Sequence, residues 1–270
     1  MLQQHEAISS RSSSALTVSL ARDANEIYEA QRLRYKVFAG EMGARLTGSE
    51  PGIDSDLYDP WCEHLIARDA LSGRVVGTYR VLNGANARRL GGFYADEEFD
   101  LTRLDHLRDQ IVEVGRSCVH RDYRNATAVA LLWAGVIQYA ARHGYNYLIG
   151  CASLSMADGG ATAANVHYAL ARTCLIPVEY RVFPRLDLPL RRARPTEEVV
   201  IPPLIKGYER LGAYMCGAPA WDPDFNTADL LLLLPMSRIA PRYARRFLGR
   251  GDDALARRPR STPIERPTRE

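Results

Sequence analysis

The chain has no run of the roughly 18–20 apolar residues that a membrane-spanning helix needs. The leucine-rich stretch ADLLLLLP at 228–235 is too short to span and suits a buried strand. The first fifteen residues, which include SSRSSS, lack the apolar core of a secretory signal, so the protein is expected to be cytoplasmic, with residues 1–15 disordered. Five cysteines (Cys62, Cys118, Cys151, Cys174 and Cys216) lie far apart with no CxxC pair. That spacing argues against a zinc site and against a disulfide framework; the thiols are expected to be reduced and structural, and no metal is expected. A catalytic thiol would need a paired histidine that the sequence does not place. There is no internal repeat and no recognisable nucleic-acid module, so nucleic acid is not an expected partner.

What is present fits one globular domain. The chain has 270 residues, 46% apolar and 25% charged, enough to bury one large core. The net charge of +3 conceals a basic end, since residues 238–270 hold ten arginines and four acids. The expected organisation is a domain over 16–249 followed by a basic, disordered tail over 250–270. Such a tail attracts anionic partners, either an acidic carrier protein or, by peripheral contact, an anionic inner-membrane surface.

ALTVSLA reads as a first strand, and Asp23 with Glu26 three residues later resembles a capping box opening a helix to about Phe38. Ile27, Ala30, Leu33 and Val37 give that helix a core face, with Arg34 near its edge. A long loop rich in Gly, Asp and Pro (43–60) has the length of a binding loop. EHLIARDA and RVVGTYRVLNG, separated by LSG, form a hairpin signature. DEEFDLTRLDHLRD is expected to hold a short helix. QIVEVGRSCVH, ATAVALLWAGVIQYAAR and YLIGCAS then read as strand, helix and strand, a βαβ unit closed by Gly144. A short basic helix carrying Ile239, Tyr243, Phe247 and Leu248 is expected near the end. Together these give an α/β or α+β fold with a central mixed, mostly antiparallel sheet flanked by helices.

VEVGRSCVHRDYRN, residues 112–125, places Glu113 and Arg116 inside a core strand. On a regular strand they would point to opposite faces. A bulge, which Gly115 permits, would aim both into one cleft. The following turn carries Arg121, Arg124 and Asn125 into the start of an apolar helix, whose free amides attract anions.

RLRYKVFAGEMG (32–43), GIDSDLYDPWCEHLIARD (52–69), GRVVGTYRVL (73–82) and the segment 112–154 resemble, in this order and spacing, the N-acyltransferases of ornithine-lipid synthesis. These have a GNAT-like fold and are similar to the acyl-homoserine-lactone synthases. The resemblance implies transfer of a 3-hydroxy fatty acyl group from acyl carrier protein to the α-amine of L-ornithine. No bound cofactor is implied, since the acyl-phosphopantetheine of the carrier is itself the donor substrate. Matching positions imply Glu113 and Arg116 as catalytic, and Arg34, Phe38, Asp54, Asp56, Asp59 and Arg80 as substrate-binding. Arg121, Arg124 and Asn125 are assigned to the donor phosphate.

Glu113 is then the expected base, with His120 as an alternative. Arg34, Arg80 or Arg116 would take the acceptor carboxylate, and Asp54, Asp56 or Asp59 its side-chain ammonium. Phe38, Trp133 and Leu154 are candidates for the acyl groove, although Trp133 also reads as core. The same chemistry on glycine, lysine or glutamine remains an alternative. Lactone synthesis is a further one, disfavoured because AGEMGARL lacks the tryptophan that follows the helix phenylalanine in those synthases, and Trp61 lies far downstream.

Overall fold

The computed structural model describes residues 16–46, 48, 50–188, 199–241 and 243. Residues 1–15 and 250–270, and Phe247 and Leu248 of the expected basic helix, lie outside them. In chain order β1 (Leu16–Leu20) leads to α1 (Ala24–Phe38), and the acidic loop ends in a 3-10 turn before the hairpin β2 (Glu63–Asp69) and β3 (Val75–Asn83). Then come α2 (Gly84–Leu90), α3 (Ala95–Glu98), β4 (Phe99–Asp100), β5 (Ile111–Val119), α4 (Ala126–Arg142), β6 (Tyr147–Ser155) and α5 (Ala161–Thr173). β7 (Phe183–Pro184), α6 (Pro203–Leu211), β8 (Tyr214–Met215), β9 (Ala220–Asp222) and β10 (Thr227–Pro235) complete the described chain.

Eight strands form one sheet in the order β1-β2-β3-β5-β6-β10-β8, with β9 beside β10, and β4 pairs separately with β7. Within the large sheet only β5 and β6 run parallel, as the βαβ reading requires, so the sheet is mixed and mostly antiparallel. Among the described residues, no helix is long and apolar enough to cross a membrane.

The periodic readings hold locally. Asp23 accepts from the Glu26 amide at 3.0 Å, but Glu26 turns to the Arg22 amide at 2.8 Å, so only half of the capping box forms. Ala30, Leu33 and Val37 are buried as their spacing requires, while Ile27 is half-buried. Arg34, expected at the edge of that face, is fully buried. Asn125 caps α4 by accepting from Ala128 N at 2.9 Å. The leucines of β10 serve two faces: Leu231 and Leu233 join a core with Phe93, Phe99, Ile111 and Ile149, while Leu234 joins one with Val112, Leu132, Val136 and Leu148. A strand buried on both faces needs no polar alternation, which explains the continuous run.

Two departures from regular pairing shape the centre of the sheet. β5 and β6 pair only at Ile111–Tyr147, Val112–Leu148 and Glu113–Ile149, then part. At the parting point the backbones touch: a Cβ on Gly150 would stand 2.4 Å from the Val114 carbonyl oxygen. Between β3 and β5 the register shifts, with Arg80 opposite Gly115 but Thr78 opposite Cys118, so Tyr79 faces both Arg116 and Ser117. This is the expected bulge. The strained residue, however, is Arg116, whose φ of 47° is in the left-handed region, and not Gly115.

Candidate active site

The wedge between β5 and β6 opens into a cavity of about 290 Å³ that reaches both faces of the sheet. Arg80, Tyr94, Glu98, Glu113, Asp222 and Asp229 line its polar side. Tyr79, Trp133, Val136, Leu148, Leu211 and Leu234 line the side covered by α4 and α6. One compartment is thus charged and the other apolar, and they meet at the bulge.

Six of the anticipated residues come together beside this cavity as an ion-paired lattice. Arg34 gives Nε to Asp54 at 2.7 Å, and Nη1 and Nη2 to the two oxygens of Asp59 at 2.8 and 2.9 Å. Arg80 Nη1 bridges Asp56 at 2.6 Å and Asp59 at 3.1 Å. Arg116 reaches Asp56 through Nη2 at 3.3 Å. Burial disfavours the Asp59 carboxylate, but Arg34 and Arg80 outweigh that cost and hold its pKa well below the usual carboxylate range. The three aspartates therefore already hold three guanidinium groups.

Arg34 has all three nitrogens engaged and is sealed from solvent. Arg116 differs. It lines the cavity, its Nε has no hydrogen-bond acceptor among the described residues, and its guanidinium lies 4.8 Å from the ring centre of Tyr94 and 4.9 Å from that of Phe225.

Glu113 is buried beside the parting point, with its two oxygens accepting from Tyr94 N and Ala95 N, both at 2.8 Å. Burial pushes its pKa up to about 7, against the opposing pull of those two amides and of Arg80. A carboxylate poised there can exchange a proton near neutral pH.

A second acidic group escaped the sequence reading. Glu98, Asp222 and Asp229 bring one carboxylate oxygen each within 4.8 Å of one another, and all three line the cavity. Burial pushes Asp229 up to about 6, and burial together with the Asp229 charge pushes Glu98 well above its ordinary value. Among the described residues neither acid has an arginine ion partner of the kind that holds Asp59; Asp229 takes the Thr227 hydroxyl at 3.3 Å, and Glu98 the Cys151 thiol at 3.3 Å. This group has the geometry to hold a cation. The available signal was Asp229 itself, an acid opening a leucine run. Cys151, expected to be purely structural, lines the same cavity.

The remaining anticipated residues are more dispersed. Arg124 pairs with Glu41 at 2.6 Å and Arg121 with the same carboxylate at 3.6 Å, both exposed, next to the capped start of α4. Phe38 lines the cavity and packs edge-on against Phe225 at 5.6 Å. Trp133 lines it as well, whereas Leu154 is buried in a separate core against α5. His120 faces Lys36, with Nε2 2.8 Å from Nζ, in a different groove, which removes it from the reacting compartment. Trp61 sits by α2, its carbonyl accepting from Asn86 at 2.8 Å.

Comparison with known proteins places this geometry. Residues 33–134 match the Acetyltransferase (GNAT) domain family. The L-ornithine N(alpha)-acyltransferase of Rhodobacter capsulatus is 37% identical over 251 residues, covering 87% of this chain and 96% of that protein. The enzyme of the same name from Agrobacterium fabrum is 38% identical over 254 residues, covering 88% of this chain and 86% of that protein. Among solved structures, FeeM, an N-acyl amino acid synthase from uncultured soil microbes, superposes with a TM-score of 0.52 at 14% identity, covering 85% of this chain and 97% of that one. MesI, a CoA-dependent acyl-homoserine lactone synthase, gives 0.52 at 15% identity, covering 87% and 97%. At such identities these structures establish the shared fold.

Proposed function

The chain belongs to the family of the L-ornithine N(alpha)-acyltransferases, and from that premise we propose that it transfers a 3-hydroxy fatty acyl group from acyl carrier protein to the α-amine of L-ornithine. The product is lyso-ornithine lipid. The observation that carries this reading is the two-sided cavity, with a carboxyl group of pKa about 7 at the junction of a charged and an apolar compartment.

An amine attacks a thioester only when neutral, and an α-amino group has a reference pKa of about 8. The ammonium form first loses one proton to solvent. As the neutral nitrogen forms its bond to the acyl carbon, Glu113, directly or through one water, takes the second proton, and the tetrahedral oxyanion is met by backbone donors at the bulge around Arg116 and Ser117. Well-aimed donors of this kind contribute on the order of 3 kcal/mol each. Collapse breaks the carbon–sulfur bond, and the proton held by Glu113 returns to the departing thiolate. No protein nucleophile is required.

Arg116 is the guanidinium best placed for the acceptor carboxylate, because it lines the cavity and its contacts to Asp54 and Asp56 are long, 3.5 and 3.3 Å, whereas Arg34 is saturated and Arg80 holds two aspartates at 2.6 and 3.1 Å. The lattice of Asp54, Asp56 and Asp59 orients these arginines. Glu98, Asp222 and Asp229 suit the side-chain ammonium, whose charge offsets the mutual repulsion of three carboxyl groups brought close together. Arg121 and Arg124 flank the entrance suited to the phosphate of the carrier's phosphopantetheine arm.

The test combines purified protein, 3-hydroxyacyl carrier protein and ornithine, following thiol release and the N-acylated product by mass spectrometry. Product that depends on ornithine is the expected result. Release stimulated by glycine, lysine or glutamine instead would move the acceptor, and absence of release with every amine would overturn the reading.

A further inference from the structure

The apolar compartment has one polar feature. Tyr79 Oη and Tyr208 Oη lie 2.8 Å apart, and Trp133 Nε1 donates to Tyr79 Oη at 3.3 Å. All three side chains line the cavity. They come from β3, α6 and α4, so three separate elements converge to make the contact. The approach of α6 is close: a Cβ on Gly207 would stand 2.3 Å from Trp133 Cη2, and the Trp133 and Tyr208 rings stack with centres 4.7 Å apart. Only glycine at 207 lets Tyr208 sit this near.

Counting hydrogens shows what the trio lacks. Three donors (one indole N–H and two phenol O–H groups) share two contacts, so whichever phenol donates to the other, one phenol hydrogen has no acceptor within the trio. The surrounding wall is supplied by Val136, Ile137, Leu148, Leu211 and Leu234, none of which has a side-chain acceptor. A buried donor without an acceptor among these described side chains is unfavourable, and a molecule that fills the cavity can supply one.

We propose that Tyr79 and Tyr208 recognise a hydroxyl on the acyl chain of the donor, close to its thioester carbonyl, and so select hydroxyacyl over unsubstituted acyl groups. The inference rests on the acyltransfer reading above. Its position follows from register: Tyr79 stands opposite Arg116 and Ser117, the bulge assigned to the carbonyl oxygen. A hydroxyl on the third carbon is two carbons from that carbonyl and falls at the same level of the sheet. A hydroxyl both donates and accepts, so it takes the spare phenol hydrogen; a methylene at that position leaves it unspent.

The experiment compares kcat/KM for 3-hydroxyacyl and unsubstituted acyl carrier protein of equal chain length. Wild-type protein is expected to favour the hydroxylated donor by about tenfold, the scale of one net hydrogen bond. In Tyr208→Phe and Tyr79→Phe that ratio is expected to collapse toward one. A wild-type ratio near one overturns the proposal, as does a ratio that both variants keep. If either variant fails to fold, wild-type protein supplies a second readout: free 3-hydroxy fatty acid should raise Tm more than the unsubstituted acid, and equal shifts overturn the proposal. Transfer from both donors at equal efficiency refutes this inference alone, whereas transfer from neither refutes the acyltransfer reading with it.

Discussion

Glu113 and Asp59 are both buried carboxylates, and their neighbours give them opposite characters. Asp59 faces two guanidinium groups and stays ionised far into acid; Glu113 faces two neutral amides in a buried site, and its pKa rises to about 7. If Glu113 is the base, only its ionised form works, so kcat should fall about tenfold per unit as pH drops below about 7. Glu113→Gln should lower kcat by about 10² to 10⁴ and abolish that limb. A pH profile of the variant that keeps the wild-type limb would assign the titration to another group. Glu113 was readable from sequence because a charge interrupts a strand pattern. Asp229 carried the same signal, but five leucines after it masked the one acid among them. Arg34 was misjudged for a related reason: helical spacing locates a residue on a face, but not the two aspartates that make its full burial affordable.

At the scale of elements, the wedge depends on Gly150, the residue that follows the last of the three β5–β6 pairs, and not on Gly115. A Cβ at 150 meets a backbone oxygen at 2.4 Å, which cannot rotate away, whereas one at 115 meets nothing within 4 Å, and Gly115 does not have positive φ. Gly150→Ala is therefore expected to lower Tm by several degrees and to depress kcat/KM by moving the apex of the cavity, while Gly115→Ala is expected to retain both within about twofold in rate. Melting curves and steady-state kinetics on the pair decide this, and equal tolerance at both positions would refute the role given to strand contact. The hairpin, the βαβ unit and the bulge were legible because two-residue and helical periods are long there. α2, α5 and α6 were not. α2 spans seven residues, and the N-cap residues of α5 and α6, Gly160 and Pro202, supply no side-chain cap, so the strongest start signal is missing there.

For the whole molecule, the arrangement of charge matters more than its total. Glu98, Glu113, Asp222 and Asp229 line the cavity, whereas Arg121 and Arg124 are exposed beside the start of α4, and Arg32, Lys36 and Arg74 line a separate groove. Glu41 offsets part of the charge of Arg121 and Arg124 but is itself mostly buried, so the surface they form is basic. The acidic carrier protein proposed as donor would be drawn by these charges outside the cavity, while an acyl group on a small neutral thiol would be drawn only by the cavity walls. Raising ionic strength from about 0.1 to 1 M shortens the Debye length from about 10 to 3 Å and should suppress the first attraction. Thus KM for the carrier-bound donor is expected to rise about tenfold or more over that range, while KM for the same acyl group on a pantetheine fragment lacking the phosphate changes little. Steady-state assays with the two donors separate the contributions. Parallel salt dependence would mean that this basic surface does not dock the carrier, and would leave its arginines the narrower task of holding the phosphate.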